Sequence, residues 1–249
     1  MVEAPVQLQQ ADPTDERAGA AVIRAAALVK RIDERAILRD VTLAVEAGEY
    51  VVVLGANGSG KSTLLKILAT LLAPTAGRLE LFGEVAGPRA AHLRRRIGLI
   101  AHDSMLYRDL TARENLEFFG RLYRLPDAAS RATQMLDRVG LSQRSEDPVR
   151  TFSRGMVQRV SIARALLHQP DLILADEPFA GLDDPSTEAL EQLFEQVHDA
   201  GKTVVMVNHD LEQSLRIAGR AVVLRGGRVV VDQPTHRLYS RELRAEVRS

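Results

Sequence analysis

Gly55-Ala56-Asn57-Gly58-Ser59-Gly60-Lys61-Ser62, followed by Thr63, has the spacing of a phosphate-binding P-loop. The chemistry explains the residue types. Glycines let the backbone wrap closely around phosphates with its N–H groups turned inward. A helix opening near Lys61 adds its positive dipole end at the same place. The Lys61 ammonium reaches β- and γ-phosphates, and the Ser62 hydroxyl is a candidate Mg²⁺ ligand. By itself this loop leaves kinases, GTPases, helicases and transporters open.

A second cluster follows an apolar run, Leu172-Ile173-Leu174-Ala175, which ends in Asp176 and Glu177. In α/β sheets, ligands sit at the carboxyl ends of strands. Asp176 is the candidate to hold Mg²⁺ with Ser62, as the corresponding Asp does in P-loop ATPases. Glu177, one residue further, is the candidate base for an attacking water. His209 lies just past another apolar run, Thr203–Val207, and is expected near the γ-phosphate if that run joins the same sheet.

The elements that must position these groups follow from periodicity. Tyr50–Leu54 is a continuous apolar run suited to a strand buried on both faces. Leu64, Leu65, Ile67, Leu68, Leu71 and Leu72 recur at helical spacing, with Pro74 and Gly77 as the expected stop. Strands are expected at 21–28, 41–45, 172–175 and 203–207, and a hairpin at 221–232 turning on Gly226-Gly227. Residues of about 88–165 read as a mainly helical insertion. It holds helices at 111–123 with a Thr111/Glu114 capping box, at 130–139, and at 156–168. A further helix is expected to open at Asp184-Pro185, with Asp184 as N-cap. Residues 1–20 and 241–249 read as tails flanking one domain at 21–240.

The 249 residues carry 33 basic and 33 acidic side chains and no cysteine. Zero net charge argues against a nucleic-acid partner. The absence of Cys excludes disulfides, thiol catalysis and Cys-based zinc sites. No apolar stretch approaches the roughly 20 residues needed to span a bilayer. No apolar leader occupies the first 20 residues. Any work at a membrane is expected to go through a partner.

Over about residues 21–240 the sequence resembles the ABC ATPase family. Thr151-Phe152-Ser153-Arg154-Gly155-Met156, with the helix after it, is similar to the family signature, normally Leu-Ser-Gly-Gly-Gln. Ala180-Gly181-Leu182-Asp183 is similar to the D-loop, and Asn208-His209-Asp210 to the switch-histidine segment. The resemblance implies a P-loop α/β fold: a RecA-like core with an antiparallel β subdomain and an inserted helical subdomain. It implies Mg-dependent hydrolysis of ATP and a head-to-tail dimer with a second ATPase subunit. Ser153, Arg154, Gly155 and Met156 of one copy would face the nucleotide of the other. It also implies polytopic membrane permease subunits, contacted by segment 102–125 from the cytoplasmic face of the cell membrane.

Several positions depart from the family pattern. Arg154 and Met156 replace the second Gly and the Gln of the signature. His102 stands where a Gln is usual, and Ile32 where an aromatic ring usually stacks on adenine. The signature variant, His102 and Leu106–Leu116 are similar to the ATP-binding subunit of the cytochrome c maturation system, a haem exporter. An ABC-2-type exporter ATPase for a drug, lipid or glycan would share nearly every motif. A soluble ABC ATPase of iron–sulfur cluster assembly is the alternative from another class.

Overall fold

The computed structural model describes residues 21–87 and 90–238. The expected tails at 1–20 and 241–249 lie outside the described residues. Strands β1 (Ala21–Ile32), β2 (Arg35–Glu46), β4 (Ala76–Leu81) and β5 (Glu84–Val85) form one antiparallel sheet in the order β2-β1-β4-β5. A six-stranded sheet has the order β10-β9-β3-β8-β7-β6. Its members are β3 (Tyr50–Leu54), β6 (Ile97–Ile100), β7 (Leu172–Asp176), β8 (Thr203–Val207), β9 (Arg220–Arg225) and β10 (Arg228–Pro234). All neighbours in it are parallel except the β9–β10 hairpin.

Side-chain alternation decides the layering. Val51 and Val53 of β3 pack into a core with the antiparallel sheet and helix α1 (Lys61–Leu68). Tyr50, Val52 and Leu54 enter the opposite core, among the other helices. Successive residues of a strand point to opposite faces, so an all-apolar strand serves two cores. The other helices are α2 (Ala112–Leu122), α3 (Ala128–Arg138), α4 (Arg154–Leu166), α5 (Asp184–Asp199) and α6 (Leu211–Ile217). The two sheets are joined by Arg39 N donating to Gly227 O at 2.7 Å, and by Arg220, which reaches Ala44 O and the Glu49 carboxylate.

The capping box at α2 forms as expected. Glu114 N donates to Thr111 Oγ1 at 3.1 Å, and Thr111 N to Glu114 Oε2 at 2.8 Å. The Gly226-Gly227 hairpin is also present. Four local expectations are corrected. Helix α1 stops at Leu68, short of the apolar pattern, because Thr70 turns left-handed at φ 57°. Thr70 N then donates to Ile67 O and Leu71 N to Lys66 O, both at 2.9 Å. This is a Schellman closure with Thr at the position glycine usually fills. The mainly helical insertion is expected from about residue 88, but Ile97–Ile100 forms strand β6 beside β7, so that stretch belongs to the sheet. The N-cap of α5 is Asp183, whose carboxylate accepts from Ser186 N at 3.2 Å, so Asp184 is already helical. Helix α4 starts at Arg154, a half-turn before the expected Met156.

Helices α2 and α4 meet β6 through a buried polar cluster. Arg164 Nη2 donates to Leu99 O at 2.7 Å, and His168 Nε2 lies 3.0 Å from Ile97 O. His168 stacks on Tyr123 with ring centroids 4.0 Å apart. Burial pushes His168 down to about 4, against the raising effect of the Ile97 carbonyl. The unfolded chain therefore takes up a proton near the ordinary value of 6.5 that the folded chain refuses. This contribution to stability is full above pH 6.5 and is lost as pH falls toward 4. It amounts to roughly 3 kcal/mol at the acid end. His168→Gln is expected to flatten the decline of the thermal unfolding midpoint between those pH values. Parallel profiles for the two proteins would refute this role.

A candidate nucleotide site at the carboxyl edge of the sheet

Strand register brings the expected groups to one edge. Val53 of β3 and Asp176 of β7 both pair with Val207 of β8. The Gly55–Gly60 loop, Glu177 and the Asn208-His209 turn therefore leave the sheet side by side. The loop is closely backed. A Cβ on Gly55 would lie 2.2 Å from Leu224 O, and one on Gly60 2.7 Å from a Leu38 methyl. Gly60 also has φ 106°, a conformation that only glycine adopts cheaply. Ala56, Asn57 and Gly58 form the exposed crest of the loop, and Thr63 is half-buried on α1.

Lys61 is only 7% exposed, and its Nζ donates to Gly55 O at 2.7 Å and Ala56 O at 3.0 Å. Burial lowers its pKa, and the charges of Glu177 and Asp176 pull it back. Ser59 Oγ is buried in the loop with no partner. Such an orphan hydroxyl is what an anion-binding loop presents before its ligand arrives.

Asp176 is half-buried at the end of β7, and burial raises its pKa. The neighbouring Ser62 hydroxyl opposes that rise, as do the charges of His102 and Lys61. Glu177 adopts φ 50°, and its N–H donates to Val207 O at 2.9 Å. A left-handed glutamate is uncommon backbone of the kind that collects at functional sites. It turns the carboxylate toward His209, with Oε2 3.8 Å from Nδ1.

A cleft of about 180 Å³ opens beside these acids, lined by His102, Ser104, Arg154, Gln158, Asp176 and Glu177 among others. His102 thus joins the acids, as its place in the sequence suggested. Ser153 is exposed and caps α4, accepting from Met156 N at 3.3 Å. Arg154 lies against Gly181 of its own chain, where a Cβ would come within 3.0 Å of Arg154 Nε. Gly155 faces Leu182 in the same way, and Gln158 donates to Pro178 O at 3.0 Å. The signature segment and the loop ending at Asp183 therefore form one surface. Ile32 ends β1 opposite Arg35 and is 44% exposed. Sequence reasoning gave no weight to the Asn208 side chain, which is buried and accepts from His209 N and Asp210 N. An amide directly after an all-apolar strand was the available signal.

A family model described as "ABC transporter" matches residues 38–180, more than half of the chain. The chain belongs to the ABC transporter ATP-binding family. The ABC transporter ATP-binding protein NatA of Bacillus subtilis is 37% identical over 208 residues, covering 82% of this chain and 85% of NatA. A Nod factor export ATP-binding protein I of Ralstonia nicotianae is 33% identical, covering 88% of this chain and 69% of its own length. Among solved structures, a dimeric post-hydrolysis state of an ATP-binding cassette bound to ADP and Pi superposes with a TM-score of 0.79. It is 31% identical, and the match covers 86% of this chain and 98% of the other. This ABC protein is an ATP-binding transporter subunit and an ATPase. Gly55→Ala should weaken ATP binding at least about tenfold, because the added Cβ meets a backbone oxygen that cannot swing away. Titration with a fluorescent ATP analogue measures this, and parent-like affinity would discount the close fit.

Proposed function

We propose that this ABC ATPase works as one half of a dimer that hydrolyses ATP to power export through separate membrane subunits. The observation that carries this reading is the Glu177–His209 pair beside Lys61, at the edge where β3, β7 and β8 end. In this reading the backbone of Gly55–Gly60 and the Lys61 ammonium hold the phosphates. The Ser62 hydroxyl and the Asp176 carboxylate are hard oxygen donors of the kind Mg²⁺ takes, and the hydroxyl is close enough to lower the Asp176 pKa. Bound Mg²⁺ supplies charge neutralisation at the β- and γ-phosphates. Glu177 polarises the attacking water, and His209 holds the γ-phosphate. Ser153, Arg154, Gly155 and Met156 of the second copy close the site, with Asp183 at the same interface. The dimeric ADP- and Pi-bound relative supports that arrangement.

A membrane partner is supported by an exposed apolar surface on segment 102–125. Met105, Tyr107, Phe118 and Leu122 are all at least 40% exposed, and the Tyr107 and Phe118 rings pack edge to face at 5.0 Å. Exposed apolar groups in contact mark docking surfaces. Buried Asn115 fixes this loop, accepting from Tyr107 N at 2.8 Å and donating to Tyr107 O at 2.9 Å. No helix among the described residues is long and apolar enough to cross a membrane. The Nod factor export relative, and the linearmycin resistance ATP-binding protein LnrL of Bacillus subtilis at 32% identity, favour an exporter ATPase for a drug, lipid or glycan. The Phe152–Met156 signature variant and His102 favour haem export, the second reading.

Glu177→Gln is expected to keep ATP binding, slow hydrolysis about a hundredfold or more and accumulate a closed dimer. Normal turnover by this variant would remove Glu177 from its role. The same variant, purified with ATP from solubilised membranes, is expected to bring down a polytopic permease on the cytoplasmic face. Cytochrome c maturation subunits in that eluate would select the haem reading. Soluble scaffold proteins alone would sink the export reading in favour of iron–sulfur assembly. Ile32 stands where an aromatic ring usually stacks on the base, and such stacking is worth about 1–3 kcal/mol for any base. Ile32→Tyr should therefore tighten ATP and GTP alike, by about tenfold. Unchanged affinity for both nucleotides would place Ile32 away from the base.

A further inference from the structure

His209 is exposed on a turn, yet its backbone is held by a chain of buried and partly buried side chains running back to α5. Asn208 is 2% exposed, and its Oδ1 accepts from His209 N at 2.9 Å and Asp210 N at 3.3 Å. Its Nδ2 donates to Gln213 Oε1 at 2.9 Å. Gln213, 9% exposed on α6, donates from Nε2 to Glu191 Oε1 at 2.7 Å. Glu191 lies on α5, with its side chain 12% exposed, and takes Arg216 Nη2 at 2.6 and 2.7 Å.

The direction of this chain is set at one end. A carboxylate engaged by a guanidinium can only accept, whereas each amide can either donate or accept depending on how it is flipped. Glu191 therefore fixes Gln213 with its NH₂ group inward and its oxygen toward Asn208. That oxygen in turn demands the Asn208 NH₂ group, leaving the Asn208 oxygen for the two backbone N–H groups. If Asn208 were flipped, donors would face donors and both bonds to the turn would be lost. Buried polar networks of this kind hold one arrangement when every member is satisfied.

We infer that Glu191, Gln213 and Asn208 are positioning residues that set the placement of His209 opposite Glu177, so that the switch histidine answers to α5. Helix α5 is capped by Asp183, two residues past Gly181 and the surface it forms with Arg154. A shift of α5 on meeting a second copy thus has a hydrogen-bonded route to His209. The inference rests on the reading of His209 as catalytic.

The test is a double-mutant cycle on the purified full chain, reading kcat and KM for MgATP. Gln213→Leu is expected to lower kcat about tenfold with KM little changed, and to have no further effect in a His209→Ala background. The same fall in both backgrounds would mean a general structural effect and overturn the relay. Unchanged kcat in His209→Ala alone would overturn the reading of His209, and the relay with it. A polarity swap gives an independent arm that does not depend on Gln213→Leu folding. Gln213→Glu alone sets two carboxylates face to face and should lose activity. Adding Glu191→Gln restores one acceptor-only group toward Asn208 and should recover most of kcat. Failure of the double variant Glu191→Gln/Gln213→Glu to exceed Gln213→Glu would overturn the inference.

Discussion

Lys61 is a positive charge taken out of water with only two carbonyl oxygens as direct partners. Such a group is costly unless opposite charge lies close. Here the nearby opposite charges are Asp176 and Glu177, which arrive on a different strand. The loop around Lys61 and the acids at the end of β7 are therefore conditions of each other. The loop keeps a buried ammonium because the acids moderate its loss of hydration. Asp176, itself raised by burial, is pulled back by Lys61 among others. A phosphate chain is the kind of ligand that would complete this unfinished balance. It brings further negative charge to the Lys61 ammonium, and acceptors for the Ser59 hydroxyl.

That mutual dependence explains where backbone strain is concentrated. Glu177 is held left-handed by the bond from its N–H to Val207 O. Gly55 and Gly60 are packed so closely that a single methyl group would strike a neighbour. Both features sit at strand ends fixed by the parallel register of β3, β8 and β7. Five-residue strands with no exposed residue among Tyr50–Leu54 and Thr203–Val207 cannot slip without moving apolar groups between two different cores. The two-core sheet is what can bear the unfavourable conformations at its edge.

Features legible in the sequence differ from hidden ones in whether local residue types or tertiary contacts decide them. The loop, the acid pair and the capping box were readable because each needs particular residue types at fixed spacing. Helix α1 ends where it does through Thr70, a β-branched residue in a conformation local rules assign to glycine, so spacing alone overran the end. Strand β6 is four residues behind an arginine-rich turn, too short for any period to declare itself. Helix α6, at seven residues, escaped for the same reason. The position of Arg154 was hidden for a different cause. Its neighbours along the chain report only a helix start, whereas its place beside Gly181 depends on how α4 meets the end of β7.

Tertiary contacts of that kind also give the helical block its hold on the site. His102 hangs from β6, and β6 is tied to α4 through Arg164 and Leu99, and to the turn just after α4 through His168 and Ile97. Ser161 of α4 donates to Ser104 O at 3.2 Å, next to the exposed Met105 and Tyr107. A push on that apolar surface therefore meets a short, hydrogen-bonded lever. One arm carries His102 toward Asp176, and the other is the helix whose first turn carries Ser153, Arg154 and Gly155. Few side chains lie between that apolar surface and the acids, so a partner docked there would need no long pathway to reach them. It would need only that α4 and β6 move together, and their buried polar cluster ties one to the other.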